Sequence, residues 1–124
     1  MPILNKPKTT TFPHPLDKVN VNIGPGWNKI IQQLAKQIQR CNSASGSISY
    51  IKEKWGILDI GHSCTDECTC TACREAIKAS THTCCMCASS KAALCAHRQT
   101  GWLSTLCSEC AEANDFQEHE PRKN

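Results

Sequence analysis

With 124 residues, only 21 of them Val, Ile, Leu or Phe, the chain has room for one domain and too little aliphatic material to hold it by apolar burial alone. Eleven cysteines must supply the rest, as disulfides or as metal ligands. Each set of four thiolates closed around one dication would lower the formal net charge of +3 by two, to +1 and then −1, which excludes a generally basic protein that coats nucleic acid.

That charge is unevenly placed. Through Lys54, eight Lys or Arg stand against Asp17 and Glu53; from Trp55 onward six stand against nine acids, so the molecule is electrically two-ended. There is no run of 18 apolar residues and no apolar segment of secretory type near Met1, so membrane spanning and export are not expected. An odd cysteine count with clustered Cys-x2-Cys spacing favours zinc in a reducing cytoplasm over a disulfide framework.

In chain order, residues 1–18 read as a flexible arm, broken by Pro2, Pro7, Pro13 and Pro15. Val19, Val21 and Ile23 alternate with polar residues as a short strand, and Gly24-Pro25-Gly26 ends it. Trp27, Ile30, Ile31, Leu34 and Ile38 then recur at helical spacing, predicting an amphipathic helix that stops near Arg40 or Cys41. Its polar face carries Lys29, Lys36 and Arg40 among glutamines and no acid. That face suits either a phosphate backbone or plain solvent. Cys41 reads as a small apolar residue at the helix end. After a turn at Ser43–Gly46, Ser47–Glu53 and Gly56–Gly61 are expected to pair as an antiparallel hairpin lying on the helix, with Trp27 and Trp55 buried together as the core.

Four cysteines then fall within ten residues. A second zinc held by Cys64, Cys68, Cys70 and Cys73 is the leading reading, with His62, His82 or Cys85 as substitute ligands. A redox-sensing dithiol, an iron–sulfur site and a reduced cysteine-rich loop are its rivals. Thr71 is expected to cap a helix running to about Thr81, which would put Cys73 in the first turn, where the helix dipole favours a thiolate.

The strongest signal closes the chain. Cys84 and Cys87, then Cys107 and Cys110, are two Cys-x2-Cys pairs nineteen residues apart, the spacing at which four thiolates enclose one tetrahedral zinc in a zinc ribbon. Between them Leu94–Arg98 and Gly101–Leu106 should form a hairpin, with Trp102 and Leu103 as a minor apolar cluster and Cys95 and His97 in structural or surface roles. A short helix is expected over Glu109–Ala113, and residues 115–124 as a charged tail without core-forming residues. The fold class is therefore a small zinc-stabilised α+β domain over residues 19–114: helix and hairpin (19–62), cysteine cluster and helix (63–83), zinc ribbon (84–114).

The order Gly24-Pro-Gly-Trp27, Ile51-Lys-Glu-Lys-Trp-Gly56, Cys84-x2-Cys87 and Gly101-Trp-Leu-Ser-Thr-Leu-Cys-Ser-Glu-Cys110 resembles a group of small proteins of bacteriophages and prophages that carry no assigned activity. In that group the hairpin usually reads Lys-Glu-Lys-Phe-Gly, and the Cys64–Cys73 cluster looks like an insertion. The resemblance implies zinc on Cys84, Cys87, Cys107 and Cys110 and a phage origin, hence a host bacterial cytoplasm.

Catalytic motifs are missing. Neither the His-x-Glu of zinc deaminases nor the His-Glu-x-x-His of metalloproteases occurs, and a four-cysteine site leaves no open metal position, so no enzyme is expected. The leading functional expectation is an adaptor that docks on and modulates a host protein. The alternative is a nucleic-acid binder using Lys29, Lys36, Arg40, Lys52 and Lys54 with Trp102 as a base stacker, and a thiol redox sensor is the lesser one.

Overall fold

A computed structural model describes residues 12–41, 48–63 and 66–119. β1 (Asn20–Asn22) leads through a tight 3-10 turn at Pro25–Trp27 into α1 (Asn28–Cys41), which carries the chain back to β2 (Ile48–Lys54). Because α1 provides the crossover, β1 and β2 run parallel, with Val21 opposite Ile51. β3 (Ile57–His62) folds back antiparallel on β2 and completes a sheet of order β1-β2-β3. Of the predicted apolar stripe, Trp27, Ile31, Leu34 and Ile38 are buried and Ala35 joins them, while Ile30 is half-buried at its margin. Cross-strand partners share a face, so the pairs Ile51/Ile60 and Glu53/Leu58 face inward while Lys52/Asp59 face outward.

The hairpin tip corrects one expectation. Lys54 pairs with Ile57, which leaves Trp55 and Gly56 as a two-residue turn with φ of 56° and 81°. Turns with positive φ at both central residues match the strand twist, and they point the first side chain away from the sheet. Trp55 is accordingly 72% exposed, and it does not share the core with Trp27. Gly56 is required, since a Cβ there would stand 2.6 Å from Leu94 Cδ1 and 3.1 Å from the backbone of Leu103 and Ser104.

α2 (Glu67–Ser80) begins a turn earlier than expected, because Asp66 and not Thr71 is its cap: the Asp66 carboxylate accepts from Thr69 N at 2.9 Å. The sequence signal for this was the acid ahead of Glu67. α2 packs against α1 and β3, and its last turn satisfies the β3 edge where Leu58 N donates to Ser80 Oγ at 3.1 Å. Ala72, Cys73 and Ala76 form its buried stripe.

The second sheet has the order β5-β4-β6. β4 (Ala92–His97) and β5 (Leu103–Cys107) form the expected hairpin, and α3 (Ser108–Ala113) follows directly. β6 (Phe116–Glu118) was not expected. Asp115 turns the chain at φ 64°, and Phe116 enters the core opposite His97, their rings meeting edge to face at 5.2 Å. One buried aromatic thus recruits part of the segment read as a tail. Similarly Phe12 and Leu16 are buried, so residues 12–18 belong to the domain and not to an arm. Residues 1–11, the Ser43–Gly46 turn, Cys64 and residues 120–124 lie outside the described residues. The two sheets meet where Thr105 Oγ1 donates to Gly56 O at 2.7 Å and Ser104 Oγ to Glu53 Oε2 at 3.2 Å.

Candidate metal centre

Cys84 and Cys87 sit on a knuckle ahead of β4; Cys107 ends β5, and Cys110 lies in α3. Ala88 N donates to Cys84 O at 2.9 Å and Cys84 N to Ser89 O at 2.8 Å, and Ala88 takes φ 70°, so the first pair is wrapped by a closed backbone turn. The second pair is set by the strand-to-helix switch: Cys107 occupies the N-cap of α3 in extended conformation, and Cys110 lies one turn on. Asn114 closes that helix by donating Nδ2–H to Cys110 O at 2.8 Å. Register brings Cys107 opposite Ala92, at the open end of the hairpin beside the first knuckle.

The four sulfurs all lie within 4.8 Å of one another, and Cys87 Sγ is 3.6 Å from Cys107 Sγ. Four sulfurs each about 2.3 Å from one tetrahedral ion stand about 3.8 Å apart, so these residues fit a metal ion. Burial pushes the Cys84 thiol up, but backbone N–H groups of Cys107, Cys87 and Met86 turned toward its sulfur bring it down to about 7. Cys110 is pushed far up, by burial first and then by the sulfurs of Cys107 and Cys84. A dication is held here by thiolates only, so it competes with the protons on these sulfurs. Because metal binding must displace them, metal retention is expected to fall as pH is lowered, and an elemental assay after dialysis at stepped acid pH checks this.

The knuckle does more than hold sulfurs. Gly26 N donates to Cys85 O at 2.7 Å, Cys85 N donates to Thr105 O at 2.9 Å, and the Trp27 indole N–H donates to Thr83 O at 2.8 Å. A Cβ on Gly24 would collide with the Cys85 carbonyl, and one on Gly26 with the carbonyl of Cys84. The Gly-Pro-Gly-Trp segment is therefore the seat of the metal knuckle, and its glycines permit backbone-to-backbone approach. Gly26→Ala is expected to cost about 1–3 kcal/mol or more by overpacking, readable as a lowered urea midpoint.

Among the described residues, Cys68, Cys70 and Cys73 of the second predicted quartet are not brought together as a metal site. Cys68 is disulfide-bonded to Cys41, whose role the sequence reading missed, and Cys70 is also disulfide-bonded. Cys73 is a fully buried thiol, pushed up to about 11 chiefly by desolvation, which outweighs the dipole argument for a thiolate there. The reason is helical phase: in α2, positions 68 and 73 lie on different faces, one toward solvent and one toward the core. Among the substitutes, Cys85 is buried, and neither His62 nor His82 joins a cluster of three potential ligands among the described residues.

The five cations of the nucleic-acid alternative do not form one surface. Lys52 and Lys54 lie on the outward face of the first sheet, with Lys52 Nζ 5.0 Å from the Tyr50 ring centroid. Lys29, Lys36 and Arg40 are exposed on α1, whose apolar stripe faces the core from the other side. Between the hairpin tips runs a groove of about 480 Å3, lined by Glu53, Lys54, Trp55, Thr100, Trp102 and Leu103 among others. Trp102 is 43% exposed, so both exposed tryptophans border one cleft. No helix among the described residues is long and apolar enough to cross a membrane. Comparison of the chain with protein-family models, curated proteins and solved structures finds no match.

Proposed function

We propose that this chain is a zinc-ordered, non-enzymatic adaptor that docks on a partner protein and modulates it, the partner being a host bacterial protein in the phage setting that the motif resemblance implies. The observation that carries this reading is the Trp55–Trp102 cleft. Tryptophan dominates the energetics of protein interfaces, and two exposed in one groove are otherwise a solubility cost. Four sulfur ligands would leave zinc no position for water or substrate, so its role would be to fix the hairpin that carries Trp102.

Trp55 strengthens the point through its backbone. A large side chain at positive φ costs roughly 1–2 kcal/mol, and aromatic packing does not offset it at 72% exposure. Backbone strain of this kind clusters at functional sites, which makes the exposed Trp55 a candidate contact residue. Trp55→Asn is therefore expected to raise stability by up to about 1 kcal/mol in thermal melts, since Asn tolerates this region, while partner binding is lost. The test of the whole reading is affinity capture from host cytoplasm: a partner retained by Lys36→Ala/Arg40→Ala but released by Trp55→Asn/Trp102→Ala supports it. Capture indifferent to both tryptophans defeats it.

A second reading rests on Lys54 lying in the same groove as both tryptophans, an arrangement suited to single-stranded nucleic acid with bases on the indoles. It requires binding that weakens steeply with salt and with Lys54→Ala.

A further inference from the structure

We infer that Cys41, Asp66 and Cys68 form a second metal site that opens when their disulfide is reduced. The disulfide joins the last residue of α1 to the second residue of α2, with Cα atoms 5.6 Å apart, and Asp66 caps the same end of α2. The two sulfurs, joined by the disulfide, and an Asp66 carboxylate oxygen lie within 4.8 Å of one another, and the packing of α1 on α2 sets the two cysteine backbones at this one end of the helix pair. Two thiolates and a carboxylate suit a borderline dication such as zinc. Unlike the four-cysteine centre, this set would leave one coordination position for water or an incoming ligand.

The chain's own chemistry requires the switch. Cys84, Cys87, Cys107 and Cys110 hold metal only as reduced thiolates, so a compartment that fills that centre also presses on any accessible disulfide. This disulfide is accessible: Cys68 is exposed, and the bond borders a groove of about 320 Å3 lined by Gln37, Arg40 and Glu67 among others. A thiolate of an external dithiol attacks Cys68 Sγ, the S–S bond breaks, and Cys41 leaves as a thiolate. The reductant's second thiolate then attacks its own sulfur in the mixed disulfide. This releases Cys68 as a thiolate and the reductant as a cyclic disulfide, so the protein gains two electrons. A dication then binds the two thiolates in place of two protons.

The inference is independent of the proposed partner, and zinc counting separates the two sites. The full chain, oxidised or pre-reduced with a phosphine that is then removed anaerobically, is equilibrated with zinc, desalted and assayed by elemental mass spectrometry. One zinc per chain is expected oxidised and two reduced. Cys41→Ser/Cys68→Ser should hold one in both states, and Asp66→Asn, which keeps the helix cap, should weaken the second zinc by on the order of tenfold. A reduced wild-type chain that still holds one zinc overturns the assignment. So does a second zinc that persists in Cys41→Ser/Cys68→Ser, since its donors would then lie elsewhere among the cysteines.

Discussion

Cys87→Ser will unfold the second sheet although Cys87 is exposed. Surface substitutions ordinarily change stability by less than about 0.5 kcal/mol, because they remove neither packing nor a buried partner. Here the lost atom is one of the four sulfurs that could hold a metal ion. A structural zinc contributes on the order of 10 kcal/mol, comparable to the entire stability of a small domain. The apolar core beneath it is thin: Leu106 and Phe116 are the large aliphatic and aromatic residues that the second sheet buries. The expected result is loss of the cooperative thermal transition and of amide protection in β4 and β5, reproduced in the wild type by a chelator. An unchanged melting curve would show that these sulfurs do not carry the fold. Cys107→Ser is the less informative variant, because Cys107 is buried and its substitution mixes packing with ligation.

Trp27→Ala will be the most damaging change outside the metal centre. Trp27 is fully buried, and truncating a core tryptophan costs about 3–5 kcal/mol. It also leaves the Thr83 carbonyl without the indole N–H that now reaches it at 2.8 Å. Since Thr83 immediately precedes the first knuckle, the damage should spread from the core to the metal centre. Trp27→Ala is thus expected to lower the urea midpoint and, in protein loaded with a metal ion on the four cysteines, to speed its transfer to a chromophoric chelator. Trp27→Phe separates the two contributions by restoring most of the packing without the hydrogen bond, and should cost about 1–3 kcal/mol. Metal release at the wild-type rate from Trp27→Ala would mean that knuckle and helix are mechanically independent.

These expectations show how the two Gly-Pro-Gly-Trp and Cys-x2-Cys motifs work as one device. Gly24 and Gly26 let the backbone of Cys84 and Cys85 approach, Trp27 locks the adjoining carbonyl, and Cys85 N reaches Thr105 on β5. Nearly sixty residues separate the partners in sequence. Their co-occurrence carried the resemblance, but nothing in either motif alone announces that they touch.

What the sequence determined by itself was whatever depends on local period and spacing. The three- and four-residue recurrence from Trp27 to Ile38 requires a helix with one buried stripe, alternation around Ile51 and Leu58 requires paired strands, and two Cys-x2-Cys pairs at ribbon spacing converge on one point. The tertiary structure decided whatever depends on which surfaces meet. Trp55 lies outside the core because a two-residue turn imposes positive φ, and Phe116 lies inside it because β4 offers a free edge beside His97. The Cys64–Cys73 cluster was legible as chemistry but not as pairing. Helical phase divides Cys68 from Cys73, and only the packing of α1 against α2 brings Cys41, distant in sequence, to Cys68. Spacing constrains ligands carried on one short loop, whereas a contact between two helix ends is set by how their buried faces fit together.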